Sequence, residues 1–233
     1  MAKPETFSVA SLNLNGIRPA ERRGFSDWLA RTRPDHLLLQ ELRAHPEQVP
    51  DEVRSPVGYN CRWECALKKG YAGTAIYTRS MPDTWTTGLG LDWADTEGRV
   101  VRADLPELSM VSLYLPSGSS SEERQERKFA FMDHAMSWLA GLLDEGRPMI
   151  VAGDLNLTPW SPFFREFVDR SGLRDSRRGF GVQATWPSRL GMAGIPMDHV
   201  LVSQDGSVID RRVGPSFGSD HRPVIVDLAI ESQ

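Results

Sequence analysis

The chain is expected to fold as an α/β protein in which two packed mixed β-sheets are flanked by helices, a four-layered α/β sandwich. Three observations predict it. Short apolar runs recur along the whole chain, several of them joined by connections short enough for antiparallel pairing. One long amphipathic segment lies mid-chain, and only short helical patterns occur elsewhere. The order is strands, helix, strand, helix, strands, which suits sheets packed face to face rather than a doubly wound parallel sheet.

Residues 7–14 alternate and run into the turn Asn13-Leu14-Asn15-Gly16, a strand ending in amides. Residues 19–32 carry Phe25, Trp28 and Leu29 on one side and stop before Pro34, which predicts one short helix. Residues 36–41 read as a buried strand ending in the Glu41 carboxylate, and residues 73–78, 100–105 and 110–115 as further strands. Ser120 and Glu123 have capping-box spacing at the start of the clearest helix. Phe129, Met132, Met136, Leu139 and Leu143 form its apolar face, and Gly146 closes it. A short helix is expected at residues 162–168 and a strand at Thr185-Trp186, followed by strands at 197–202, 208–212 and 223–230. No linker or low-complexity tract divides residues 1–233, so a single domain is expected. The five residues from Ser11 to Asn15 resemble those from Gly153 to Leu157, a hint of two similar halves although so short a match is near chance.

The 40% hydrophobic and 25% charged content of the 233 residues is that of a soluble globular protein. No apolar stretch approaches the roughly 20 residues a membrane span needs, and the N-terminus has no apolar leader pattern. Cys61 and Cys65 have no cysteine or histidine partners at zinc-site spacing. A cytoplasmic monomer without a membrane partner is the resulting expectation. The net charge of −4, from 27 basic and 31 acidic residues, argues against a globally basic nucleic-acid coat but permits a local basic groove.

The apolar run at residues 149–152 delivers Gly153-Asp154-Leu155-Asn156 to a sheet rim. Alternation along a strand would point Asp154 and Asn156 the same way, and a carboxylate beside an amide can deprotonate a water and hold it. Polar groups end other strands too: Asn13 and Asn15, Glu41, Asp198, and the pair Asp220-His221. Each has a plain structural reading as turn residue, solvated strand end or core histidine. Five such ends in one sandwich favour a shared site. Oxygen donors without thiolates favour a hard ion, Mg2+ or Mn2+, over zinc.

Eight segments in order carry a family likeness. They run from Ser11 to Arg18, Leu39 to Glu41, Gly70 to Tyr77, Glu97 to Arg102, Tyr114 to Gly118, Gly153 to Asn156, Met197 to His199 and Gly218 to His221. On these the chain resembles the exonuclease III type of apurinic/apyrimidinic (AP) endonucleases, within the endonuclease/exonuclease/phosphatase superfamily. The resemblance implies that Glu41, with Asn13 and Asp220, binds a divalent metal, and that Asn15 bears on its occupancy. It implies that Asp154 activates water and Asn156 orients it. His221, held by Asp198, would contact the scissile phosphate, and Tyr114 the phosphate or the leaving oxygen. The implied activity is Mg2+-dependent hydrolysis of DNA, as an AP endonuclease able to carry 3′–5′ exonuclease activity, in base-excision repair.

The likeness to the repair branch weakens after Asn156. Only 41 residues separate Asn156 from Asp198, where repair enzymes usually carry a longer DNA-cradling insertion. The alternative is therefore a general phosphodiesterase or phosphatase acting on single-stranded nucleic acid or a small phosphorylated molecule. Trp186 and Met197 fit either a sugar-pocket wall or the core. Basic candidates for substrate contact are Lys68, Lys69, Arg177 and Arg178, with Arg22, Arg23 and Arg189 also in loops. Arg124, Arg127 and Lys128 are expected on the solvent face of the long helix.

Overall fold

The computed structural model describes residues 6–118 and 121–230. Its elements run β1 (Thr6–Asn13), α1 (Ile17–Arg22), α2 (Phe25–Thr32), β2 (His36–Gln40), α3 (Asp51–Arg54), β3 (Asn60–Glu64), β4 (Thr74–Thr78), β5 (Thr84–Thr87) and α4 (Asp92–Asp95). They continue with β6 (Val100–Asp104), β7 (Ser109–Leu113), α5 (Glu122–Asp144), β8 (Met149–Asp154) and α6 (Pro162–Ser171). The C-terminal part holds β9 (Arg174–Asp175), β10 (Asp198–Val202), β11 (Gly206–Val213) and β12 (Val224–Ile230). Two six-stranded sheets result, ordered β11-β12-β1-β2-β4-β3 and β5-β6-β7-β8-β10-β9. This is the expected α/β sandwich.

Read from opposite ends, the sheets repeat one pattern. β12/β1 is antiparallel, β1/β2 parallel and β2/β4 antiparallel, and β10/β8, β8/β7 and β7/β6 follow in the same sense. β1 and β8 thus hold equivalent places, and the short echo between residues 11–15 and 153–157 falls on their two ends.

The pleat explains the layering. Alternate residues of β1, β2, β7, β8 and β10 send Val9, Leu38, Met110, Ile150, Ala152, Val200 and Val202 into the space between the sheets. The intervening residues Ala10, Leu12, Leu37 and Leu39 pack with Phe25 and Trp28 outside one sheet. Val111, Leu113, Met149 and Val151 pack under Phe131, Met136 and Phe167 outside the other. Toward one end of the sandwich the inward rows turn polar, through Ser11, Gln40 and Ser112, to Asn13, Asp154 and Asp198. Ser11 Oγ donates to Gln40 Oε1 at 3.5 Å, Gln40 Nε2 to Ser112 Oγ at 3.1 Å, and Ser112 Oγ to the Leu39 carbonyl at 3.0 Å.

Several expectations change. The single helix at residues 19–32 is two, because Gly24, at φ 96°, breaks it after Arg23. Thr185-Trp186 is no strand, only an isolated bridge from Trp186 to Ile195. Ser120 of the expected capping box lies outside the described residues, and the cap of α5 is Ser121, whose side chain accepts from Arg124 N. β8 ends at Asp154, so strand alternation does not place Asn156; it sits in a left-handed turn at φ 50°. Among the described residues no helix is long and apolar enough to cross a membrane.

Gly153 explains its own place in the motif. A Cβ there would lie 1.8 Å from the Leu113 carbonyl oxygen, so only glycine lets β8 reach its position beside β7. Gly153→Ala is expected to lower unfolding stability by about 1–3 kcal/mol or more, read from the urea midpoint. An unchanged midpoint would refute the close approach.

Candidate active site

The polar ends of the inward rows meet in a cleft of about 460 Å³, lined by Glu41, Tyr114, Lys128, Asp154, Asn156 and His221 among others. Asp154 lies at its base, 2% exposed. Its Oδ2 accepts from Asn13 Nδ2 at 2.9 Å, across from the other sheet, and its Oδ1 accepts from Asn156 N at 2.9 Å. Asn156 Nδ2 donates to the Leu115 carbonyl at 2.9 Å, which fixes the amide with its oxygen as the free acceptor. The equivalent turn at the end of β1 has the same build: Asn15, at φ 47°, donates its N–H to Asn13 Oδ1 at 2.9 Å.

Asp198 faces Asp154 in the β8/β10 register. Its Oδ2 lies 2.8 Å from His221 Nδ1, while His221 Nε2 stands 3.9 Å from Asp154 Oδ2. The loop bearing His221 is tied to β1 by Ser219, whose hydroxyl donates to the Asn13 carbonyl at 2.7 Å and accepts from His221 N at 3.2 Å. Burial pulls the imidazolium down, but the charge and hydrogen bond of Asp198, with the charges of Asp154 and Asp220, push His221 up to about 10. Burial pushes Asp154 up to about 7; His221 opposes the rise and Asp198 adds to it. Both shifts favour the protonated forms: burial holds the proton on Asp154, and the surrounding carboxylates hold it on His221.

Glu41, in a left-handed conformation at φ 53°, sits between the sheets' ends. Its Oε1 accepts from Tyr114 Oη at 2.5 Å and from Asn13 Nδ2 at 3.1 Å. Its buried Oε2 accepts no well-directed hydrogen bond and is ion-paired to Arg43. Asp220 accepts from Asn15 Nδ2 at 2.8 Å and from Trp186 Nε1 at 3.4 Å. Two groups of residues thus offer donors to a cation. The trio Asp154, Asp198 and His221 brings ligand atoms within 4.8 Å of one another. There, however, Asp198 Oδ2 is already taken up by His221 Nδ1. Glu41, with Asn13, Asn15 and Asp220, is an all-oxygen set around a buried carboxylate whose Oε2 is met only by the Arg43 ion pair, and it fits a hard ion.

Tyr114 is supported by Arg99, only 3% exposed, whose guanidinium lies 4.9 Å from the Tyr114 ring and donates to the Tyr114 carbonyl at 3.1 Å. Arg99 also donates to Tyr71 Oη at 3.0 Å, and Lys68 Nζ stands 5.4 Å from the Tyr71 ring. Burial and Glu41 raise the Tyr114 phenol far above its ordinary pKa, so it is a neutral donor.

Trp186 and Met197 line the cleft, Trp186 with its ring centroid 6.4 Å from that of His221. Lys68 and Lys69 are exposed in a loop and do not line it. Nor do Arg177 and Arg178: Arg177 pairs with Asp175 at 3.2 Å, and Arg178 is exposed. Arg23 donates to the Gly218 carbonyl at 2.7 Å. Lys128, expected on a solvent face, is instead 8% exposed and lines the cleft, its Nζ donating to the Asn156 carbonyl at 2.7 Å. Burial lowers its pKa, against the pull of Asp154. Sequence reasoning missed Arg99 and Lys128 as site residues. The one signal for Lys128 was its position a single residue before the apolar face of α5 that begins at Phe129.

Known proteins resemble the chain in sequence and in fold. The Endonuclease/Exonuclease/phosphatase family matches residues 10–221. An exodeoxyribonuclease of Bacillus subtilis (strain 168) is 31% identical over 250 residues, covering 94% of this chain and 98% of that protein. The DNA repair nuclease APEX1 of Danio rerio is 29% identical over 177 residues, 75% of this chain but 55% of the fish protein. Two solved structures share the fold. One is the 3′ phosphatase NExo from Neisseria bound to a product DNA hairpin, with a TM-score of 0.82, 24% identity, and coverage of 97% of this chain and 100% of that one. The other is an AP endonuclease from Archaeoglobus fulgidus, with a TM-score of 0.81, 20% identity and the same coverage. With nearly all of the span from β1 to His221 matched, and with every strand-end residue of the likeness converging on or beside one cleft, the chain belongs to the endonuclease/exonuclease/phosphatase family.

Proposed function

We propose that the protein is a divalent-metal-dependent phosphodiester hydrolase acting on DNA, an AP endonuclease of the exonuclease III type with 3′–5′ exonuclease activity in the same cleft. The observation that carries this reading is buried Asp154 beside the His221–Asp198 pair at the base of a cleft. The relatives' names, an exodeoxyribonuclease and a DNA repair nuclease, support it.

Asp154 is the general base: its pKa of about 7 suits it to take a proton from water near neutral pH. Asn156 Oδ1 accepts from the same water and orients it, because Nδ2 is committed to the Leu115 carbonyl. His221 donates its Nε2–H to a non-bridging phosphate oxygen, with Asp198 fixing the ring. Tyr114 is a neutral donor whose one O–H goes to Glu41 Oε1, and it serves the leaving oxygen when substrate binding exchanges that bond. Glu41, with Asn13, Asn15 and Asp220, would hold Mg2+ or Mn2+, which when bound supplies charge neutralisation at the phosphate. Water's oxygen bonds to phosphorus as its proton passes to Asp154, the bond to the 3′ oxygen breaks, and that oxygen takes a proton from solvent water to leave as a 3′-hydroxyl.

The short span between Asn156 and Asp198 favours a second reading with the same chemistry, a phosphodiesterase or phosphatase of broader substrate range. Rates on abasic duplex, single strands and bis-p-nitrophenyl phosphate separate the two.

Purified protein should incise a duplex with one tetrahydrofuran abasic analogue in Mg2+ and stop in EDTA; folded protein that cuts nothing would sink the nuclease reading. Asp154→Ala and His221→Ala should each lower turnover by about 10² or more with unchanged circular dichroism. Near-wild-type rates in both would remove these residues from the mechanism. In metal-free protein, NMR should find His221 titrating well above its ordinary 6.5, near 10, and Asp198→Asn should bring it down. The folded pKa lies above the unfolded one, so this pair stabilises the fold below about pH 6.5 and ceases to as pH rises through about 10. An unmoved titration in Asp198→Asn would refute the pairing.

A further inference from the structure

Lys128 poses a physical problem that the proposed chemistry leaves unanswered. It is 8% exposed, and the partner of its ammonium is a neutral carbonyl, that of Asn156. Its neighbour Arg127 behaves as a surface residue, paired with Glu97 at 3.0 Å and stacked over Trp93 at 4.3 Å. Burying an ammonium against a neutral partner is costly, and a methionine would fill the same slot without that penalty. The slot is tightly built: a Cβ on Gly118 would come 2.3 Å from Gln125 Oε1 and 3.1 Å from Lys128 Cδ, so the loop after Tyr114 lies directly on the lysine stem.

The charges around the cleft say what the ammonium answers to. The acidic groups lining it are Glu41, Asp154 and Asp220. Among its described lining residues Lys128 is the one lysine or arginine. An ammonium has three N–H donors, and the Asn156 carbonyl takes one. We propose that Lys128 is a phosphate-binding residue of this cleft, giving a second N–H to a non-bridging oxygen of the substrate or product phosphoryl group. Its bond to the Asn156 carbonyl places that contact on the same turn that orients the attacking water. The assignment rests on the reading of the cleft as a phosphoryl site, but it can be tested without any hydrolysis.

The probe is inorganic phosphate, its affinity measured by titration calorimetry on the full chain, with DNA incision followed in parallel. Lys128→Gln keeps a donor for the Asn156 carbonyl and removes the charge. It should weaken phosphate binding and raise KM by about tenfold or more, as expected for loss of a charge-assisted hydrogen bond. Its melting temperature should not fall, and Lys128→Arg should recover most of the affinity. If Lys128→Gln does not fold, Lys128→Met reads the same quantity. Wild-type phosphate affinity in the charge-removed variant would overturn the assignment and leave Lys128 a mere support for Asn156, as would a wild-type protein that binds no phosphate. Lys128-dependent phosphate binding in a protein that cuts no DNA would uphold the site and refute the nuclease reading.

Discussion

The space between two sheets can be dry only if every group facing it is apolar or paired. At the cleft end of this molecule the bond across the sandwich from Asn13 Nδ2 to Asp154 Oδ2 meets that condition for the Asp154 carboxyl, beyond the bonds joining Gln40 and Leu39 to Ser112 that cross deeper in. Remove it and Asp154 is a buried carboxyl with one neighbour fewer, at the point where β1 and β8 come together. The same amide group also reaches Glu41, so the proposed base and the proposed metal ligand are set by a single side chain. Packing and chemistry are therefore the same problem here: the rows that build the core are the rows that end in the site.

Burial and charge act on the two proton-carrying groups in opposed ways. For Asp154 the cost of ionising inside the fold dominates, and the proton is held until about neutrality. For His221 the same cost is outweighed by three carboxylates, Asp198 first, and the proton stays. The result is a donor and an acceptor 3.9 Å apart that remain distinct because their surroundings differ, not their reach.

The sequence was most legible where a strand is buried on both faces. β2 and β8 stand out as short apolar runs, and the polar residues that end β1, β8 and β10 could be named because they interrupt such runs. Two edge strands left no such mark, although the edge strand β11 was found from residues 208–212. β3, Asn60–Glu64, and β5, Thr84–Thr87, are half-exposed at the margins of their sheets, and their mixed residues carry no strand pattern that the sequence reading assigned. Asn156 was assigned to the site through strand alternation, although a left-handed turn is what puts it there. Lys128 was misplaced for a simpler reason. A helical charge reads as solvent-facing, and neither the loop at Gly118 against its stem nor the Asn156 carbonyl at its tip follows from a periodic pattern. Whether the loops bearing Lys68, Lys69 and Arg178 meet a substrate depends on a partner's shape, which periodicity does not encode.

The matching arrangement of the two sheets gives Asn13 and Asp154 equivalent positions, followed in each half by an asparagine in the same left-handed turn. Were both positions acidic, two carboxyls would face each other at hydrogen-bond distance and share one proton as a dyad. Neither could then be relied on as an acceptor near neutrality. An amide in one half and an acid in the other differ by little in shape but make the proton the property of a single residue. A fold that is nearly twofold in its backbone thus has its direction of catalysis written into one broken equivalence.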